Sequence, residues 1–308
     1  MKRDVSTLRS TQFDVVVVGA GIHGACIARD AALRGLRVAL LDKADLGGAT
    51  SHNSLKTIHG GVRYLQHLNI KRTLESIREQ LCIKSTLEQH VKPVAFLMPT
   101  YGYGMRGPLA MWVGLQLYNV LVAFMALRLG QKRLPERARV ISSKRTCSSL
   151  SPDQAQGVTG GALWYELQVE QADRALLDIV ADAAAHHCCI ASYVKVDGLS
   201  DGKSEGLSEG QSKRSSERLS EAPPDKPADD TDKLSGVTAY DVLSGEQFDI
   251  KARVIVNATG PWVGGGFTEQ GPPDHQLPMQ VPVSKSMNIV INRPAEDLAV
   301  GLQSRYQS

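Results

Sequence analysis

The apolar residues of this chain change their period several times, and the changes mark its elements. Val15 to Val18 is an unbroken β-branched run, the pattern of a strand buried on both faces. Ala25, Ala28, Ala31 and Ala32 then give a helix with a small-residue face, ended by Gly35. Val38 to Leu41 is a second buried strand. Ile70, Leu74, Ile77 and Leu81 recur along one face with Lys, Arg and Glu between them, which predicts an amphipathic helix over 70–90. Val94 to Met98 predicts a short strand. Pro108 to Leu129 is apolar on all sides. Gln116, Asn119 and Arg128 interrupt it and argue against a membrane span; a buried helical pair is the plain reading, and a helix at a bilayer surface the other. Gly160 to Val169 predicts a strand, Glu170 to His187 a helix and Ile190 to Val196 a third parallel strand. Val237 to Val242 and Phe248 to Ile250 predict two strands joined around SGEQ. Lys251 to Asn257 predicts a buried strand running into the turn Ala258 to Trp262, and Pro282 to Asn292 one more strand.

Two stretches have no period. Residues 43–61, KADLGGATSHNSLKTIHGG, predict a loop or a chain of short turns. Long loops of this kind in compact domains are often functional. Residues 198–235 are Ser, Glu, Asp, Lys, Gly and Pro without an aromatic, too polar to offset their ordering entropy, and predict a disordered insertion.

Composition narrows the function classes. At 308 residues and 42% hydrophobic, the chain is long enough for one large or two intertwined globular domains. A formal charge of +3 gives no reason to expect nucleic acid. The five cysteines form no C-x-x-C and no metal spacing, which predicts reduced thiols and no metal. The N-terminus has no apolar core of a signal peptide, so the expected location is cytoplasmic, with peripheral attachment at the cytoplasmic membrane face through Pro108 to Lys132 as the alternative.

The chemistry is concentrated in Phe13 to Asp42. Gly19, Gly21 and Gly24 form G-x-G-x-x-G between a strand and a helix. The first glycine permits the turn, the second lets the backbone approach a pyrophosphate, and the third lets helix and strand pack closely. The helix start offers free N–H groups and a positive dipole end. Asp42, about 20 residues on, is placed to bind ribose hydroxyls and favours FAD or NAD over NADP.

Three segments together, GAGIHGA, ATSHNSLKTIHGGVRYL (49–65) and VNATGPWV (256–263), carry a resemblance. The chain resembles the FAD-dependent glycerol-3-phosphate dehydrogenases of the D-amino-acid-oxidase-like flavoprotein superfamily over about Phe13 to Arg293, outside the insertion. The resemblance implies an α/β fold: a Rossmann-like FAD-binding domain interleaved with a partial antiparallel substrate-binding sheet. FAD-binding parts are expected at about 13–92, 170–197 and 236–265, and substrate parts at 93–169 and 266–308. It implies oxidation of sn-glycerol 3-phosphate to dihydroxyacetone phosphate, with electrons passing to quinone or oxygen. By motif, Gly19, Gly21, Ile22, His23 and Gly24 meet the pyrophosphate, and Asp42 and Lys43 the ribose. Thr50, Ser51, Ser54, Lys56, His59, Gly60 and Gly61 line the flavin. Val194 meets adenine through its backbone. Ala258, Gly260 and Trp262 form a second cofactor contact. Arg63 and Tyr64 match residues at the substrate, and a guanidinium suits a phosphate. His59 invites a catalytic role, since histidine as a residue type titrates near neutral pH, with packing or hydrogen-bonding against the flavin as its other role. Family members carry further substrate strands, a glycine-rich segment over the flavin and more basic residues beyond the point matching Ser308. Three readings therefore stay open: an active flavoenzyme, an inactive FAD-binding fragment, and a related flavin oxidase of another hydroxy or amino acid.

Overall fold

Strand formation starts where β-branched residues crowd together, and the helices start where polar caps or glycines interrupt them. The computed structural model describes residues 3–105, 107–131, 135–200, 236–265 and 298–301. In chain order the elements begin with α1 (Val5–Ser10), β1 (Phe13–Val18), α2 (Ile22–Leu33), β2 (Val38–Leu41), β3 (Thr57–Ile58), α3 (Val62–Leu65) and α4 (Ile70–Thr86). After a short 3-10 turn (Glu88–His90) come β4 (Val91–Tyr101), α5 (Pro108–Arg128), β5 (Arg139–Ser142), α6 (Ser143–Cys147) and β6 (Val158–Val169). The rest are α7 (Ala172–Ala185), β7 (Cys189–Ala191), β8 (Val194–Ser200), β9 (Gly236–Asp241), β10 (Gln247–Asn257), a 3-10 turn (Gly260–Gly265) and β11 (Leu298–Val300). The chain divides into two compact units, residues 1–54 with 176–287 and residues 55–175 with 288–308.

The first unit is built on a six-stranded sheet in the order β7-β2-β1-β10-β9-β8. β1 is central to its parallel part: it pairs with β2 on one side and with the second half of β10 on the other. Val16, Val17, Leu40 and Leu41 are fully buried, as an apolar run covered on both faces must be. β10 is one continuous strand where the sequence predicted two. Its first half pairs antiparallel with β9 and its second half parallel with β1, so the chain crosses from a hairpin into the parallel sheet without a break. Conversely, the strand predicted at 190–196 is two: β7 pairs with β2, and β8 leaves that register to pair with β9. Gly198 to Ser200, predicted as the start of the insertion, belong to β8. Ser200 pairs with Gly236, so the hairpin partner, not local composition, decides these residues. The remainder of the insertion, 201–235, and the strand predicted at 282–292 lie outside the described residues. The N-terminal segment, given no element by its pattern, forms α1, capped by Asp4 and anchored by buried Leu8.

The second unit carries an antiparallel sheet of β4 and β6, extended by β3, β5 and β11. β4 is longer than its apolar core predicted, because it includes Pro93 and Pro99. The Leu97 carbonyl accepts from Gly301 N–H on the β11 flank. Residues 93 and 99 share that parity and face their nitrogens away from β6, so their missing N–H groups cost no β4–β6 bond. Residues 55–92, grouped with the cofactor parts on sequence, pack in this unit, with Ile77 and Leu81 of α4 against Leu115 and Tyr118 of α5.

The segment predicted as a buried helical pair is a single helix, α5, of 21 residues. Pro108 begins it, where the missing N–H is harmless. Asn119 does not break it. Its side chain donates to Ala138 O (2.8 Å) and accepts from Ala138 N–H (2.9 Å), so both halves of the amide are satisfied. Leu115, Tyr118, Met125 and Ala126 are buried, while Trp112, Val120, Phe124 and Leu127 are 50–74% exposed. The five cysteines are free thiols, and burial pushes Cys188 up to about 12 and Cys189 up to about 11.

Candidate functional site

In the first unit, the turn after β1 is shaped for a large anion. Gly19 has φ +101°, and a Cβ there would lie 2.6 Å from Ala258 O. A Cβ on Gly24 would lie 1.8 Å from Gly19 O, and one on Gly21 3.1 Å from Ser51 Oγ. Glycine is therefore required at the first and third positions by backbone contact and preferred at the second. The N-cap residue of α2, Gly21, offers no side-chain cap, and the first intrahelical bond runs from Ala25 N–H to Gly21 O. The N–H groups of His23 and Gly24 thus point out of the helix end. Ile22 N–H donates to Ser51 Oγ (2.9 Å), which brings the loop 43–54 over the same helix end. Thr50 and Ser54 are exposed on that loop.

Asp42 sits at the end of β2 with both oxygens engaged. Oδ2 accepts from Ala20 N–H (2.7 Å) and Oδ1 from Ala44 N–H (2.9 Å). It holds the glycine turn to the strand end, and each oxygen keeps a lone pair for a ribose hydroxyl. The Val194 N–H donates to Asp42 O (2.8 Å). Val194 faces Asp241 as a non-hydrogen-bonded pair, since Val242 N–H bonds the preceding Tyr193 O. Its carbonyl therefore also turns away from β9. Lys43 Nζ lies 5.2 Å from the centre of the half-exposed Trp262 ring. The turn bearing Ala258 and Gly260 is fixed by Asn257, whose Oδ1 accepts from Thr259 N–H (3.1 Å) and Oγ1 (2.6 Å), and by Ala258 N–H to Val18 O (2.8 Å). The glycine cradle, the open helix end and the acid at β2 fit the diphosphate and ribose of FAD.

In the second unit, residues 56–64 form a fixed loop. Lys56 has φ +60°, in the left-handed region, and its carbonyl accepts from Val169 N–H (2.8 Å). Gly60 is wedged: a Cβ would lie 2.2 Å from Tyr118 Oη and 2.8 Å from Gln80 Oε1. Gly61 caps α3 at φ +84°. Arg63 and Tyr64 follow within that turn. Arg63 is exposed, and Arg72 of α4 lies 4.7 Å over the Tyr64 ring. His59 is exposed, packs edge-on to Phe96 (6.5 Å, 74°), and has Nδ1 3.6 Å from Glu166 Oε1. That carboxylate raises the His59 pKa, against partial desolvation of the ring and the Arg63 cation. Tyr118 donates to Gly60 O (3.2 Å), and burial keeps its hydroxyl protonated.

The candidate residues thus fall into two sets. One set comprises Gly19 to Gly24, Asp42, Lys43, Thr50, Ser51, Ser54, Val194, Ala258, Gly260 and Trp262 in the first unit. The other comprises Lys56, His59, Gly60, Gly61, Arg63 and Tyr64 in the second. Sequence reasoning missed Glu166, Gln80, Tyr118, Asn257 and Arg72. Glu166 interrupts the run of strand β6 and is 4% exposed, and such an acid at a core position was the available signal. Among the described residues there is no cluster of His, Cys, Asp or Glu fit to hold a metal.

Gly60→Ala is expected to destabilise the protein by about 1–3 kcal/mol, because Tyr118 and Gln80 must both move. Urea unfolding measures it; an unchanged midpoint would mean the loop is not wedged.

The FAD-dependent oxidoreductase family matches residues 14–306. The glycerol-3-phosphate dehydrogenase of Synechocystis sp. is 30% identical over 263 residues, covering 85% of this chain and 41% of that protein. The aerobic glycerol-3-phosphate dehydrogenase of Staphylococcus epidermidis is 30% identical over 265 residues, again 85% and 41%. The chain therefore spans about two-fifths of the length of these relatives. The crystal structure of the Bacillus halodurans glycerol-3-phosphate dehydrogenase with FAD aligns at a TM-score of 0.51 and 21% identity, over 84% of this chain and 36% of that one. L-proline dehydrogenase from P. horikoshii aligns at 0.50 and 15% identity, over 82% and 54%. At these identities the two structures show the fold.

Proposed function

The chain belongs to the FAD-dependent oxidoreductase family, and from that premise we propose that it serves the oxidation of sn-glycerol 3-phosphate to dihydroxyacetone phosphate, with electrons passing on to quinone or oxygen. FAD supplies the hydride acceptor. The open end of α2 and the glycine turn hold its diphosphate, and Asp42 its ribose. Arg63 is the group for the substrate phosphate, because a guanidinium takes two phosphate oxygens in parallel. His59 takes the proton of the hydroxyl being oxidised, and Tyr64, held under Arg72, forms a wall.

The observation that carries this reading is the loop 56–64, where one wedged turn presents an exposed imidazole and an exposed guanidinium four residues apart. The names of the Synechocystis and Staphylococcus relatives support the same substrate. The test is a binding titration of the FAD-loaded chain. sn-Glycerol 3-phosphate perturbs the flavin absorption bands, glycerol does not, and Arg63→Ala weakens the response about ten- to hundredfold, the loss of a charge-assisted pair. An equal response in Arg63→Ala would remove Arg63 from the phosphate.

We also propose peripheral attachment to the cytoplasmic membrane face through α5. The helix is long and apolar enough to cross a membrane, only 22% of its most apolar stretch is buried, and Arg128 and Arg137 follow the exposed side chains. Flotation with anionic liposomes is expected to bring the protein up at low salt and leave it behind at high salt. Absence of flotation at any salt contradicts this attachment, and retention through alkaline carbonate means a span instead.

A further inference from the structure

Glu166 is a buried carboxylate in the second half of β6, and its surroundings are built around it. Oε2 accepts from Gly60 N–H (2.5 Å) and from Gln80 Nε2 (3.0 Å). Oε1 accepts from Trp164 Nε1–H (2.8 Å) and faces His59 Nδ1 at 3.6 Å. Gln80 is itself fixed by donating to Ile58 O (2.9 Å). The carboxylate cannot swing away: three donors hold it, one from the loop before α3, one from α4 and one from β6 itself. Phe96 meets the imidazole edge-on, and Phe96 in turn packs on Trp164 with ring centres 5.9 Å apart.

We propose that Glu166 is a positioning residue for His59, holding the ring by Nδ1–H so that Nε2 is the nitrogen presented for proton transfer. The role deepens the reading of His59 given above and rests on it. A histidine used as a base must keep one tautomer, and the partner of its other nitrogen sets which. A loop histidine free to turn would populate both. At 3.6 Å the contact is an ion pair when His59 is charged, and the exposed neutral ring needs a small turn toward the fixed carboxylate to donate from Nδ1. Arg63 on α3 opposes the charge and Tyr118 on α5 presents only a protonated hydroxyl, so Glu166 is the group that draws the proton to His59. Because the folded pKa of His59 lies above its ordinary value, the pair stabilises the loop fully below about pH 6.5 and ceases to do so as pH rises through the higher folded value.

The experiment is a nitrogen-15 titration of the His59 ring in this chain, without flavin or substrate. The wild-type midpoint is expected above 6.5, with the neutral ring protonated at Nδ1. Glu166→Gln shifts the midpoint down and releases the tautomer, and Glu166→Asp keeps both closer to wild type. A wild-type midpoint at or below the ordinary value, or a neutral ring protonated at Nε2, overturns the proposal even if neither variant folds. A Glu166→Gln titration identical to wild type overturns it as well. Since no substrate is present, failure of the glycerol 3-phosphate reading leaves this result untouched, and failure here leaves the substrate titration standing.

Discussion

Gly24→Ala is expected to abolish FAD retention and to lower stability sharply. The added Cβ would lie 1.8 Å from Gly19 O, 3.0 Å from Gly19 C and 3.3 Å from Ala258 Cβ. Two of these are backbone atoms of the turn that receives the diphosphate, so relief requires moving α2 away from β1 or turning the Gly19 peptide. Either change spoils the direction of the N–H groups at the helix start. Overpacking of this kind costs about 1–3 kcal/mol or more. Gly35→Ala is the control: it adds a Cβ at φ +82° at the other end of the same helix, where nothing lies within 4 Å. It should cost about 1–2 kcal/mol of backbone strain and leave FAD bound. Gel filtration with added FAD, read by flavin absorbance in the protein peak, separates the two. Normal FAD retention by Gly24→Ala would mean that helix and strand do not need this close approach.

Glu166→Leu is expected to be the most destabilising change in the second unit, by about 3–5 kcal/mol. Leucine fills a similar volume but strands the Gly60 and Trp164 N–H groups and leaves the Gln80 amide only its bond to Ile58 O, and each buried unsatisfied donor costs about 1–3 kcal/mol. Glu166→Gln keeps one acceptor oxygen and should cost less. Urea unfolding of the three proteins gives the order. Equal stability of Glu166→Leu and wild type would mean that these donors find water instead.

The parallel core was legible because its signal is local. Val15 to Val18, the three glycines and Val38 to Leu41 specify strand, turn and strand within 30 residues. The places where the pattern misled depend on partners distant in sequence. Gly198 to Ser200 look like linker, and become strand only opposite Gly236 to Thr238. Asn119 looks like a break in an apolar helix until its amide meets Ala138, 19 residues on. The same holds for the site. His59, Gly60, Gly61 and Arg63 could be picked from their motif, but Glu166 is brought to them by the pairing of β3 with β6, across more than 100 residues. Periodicity cannot show such a partner. An acid at a core position of a strand is the trace it leaves.

Anaerobic reduction of bound flavin tests the proposed oxidation of glycerol 3-phosphate without any electron acceptor in the way. The chain spans about two-fifths of its relatives, 41% of the Synechocystis protein. It is therefore measured both alone and fused to the C-terminal remainder of that relative, each loaded with FAD and mixed with sn-glycerol 3-phosphate, glycine or L-proline. The fusion is expected to bleach with sn-glycerol 3-phosphate only, Arg63→Ala to lose the response, and the chain alone to hold FAD with little bleaching. Bleaching of the fusion by glycine or L-proline, with none by sn-glycerol 3-phosphate, would contradict it.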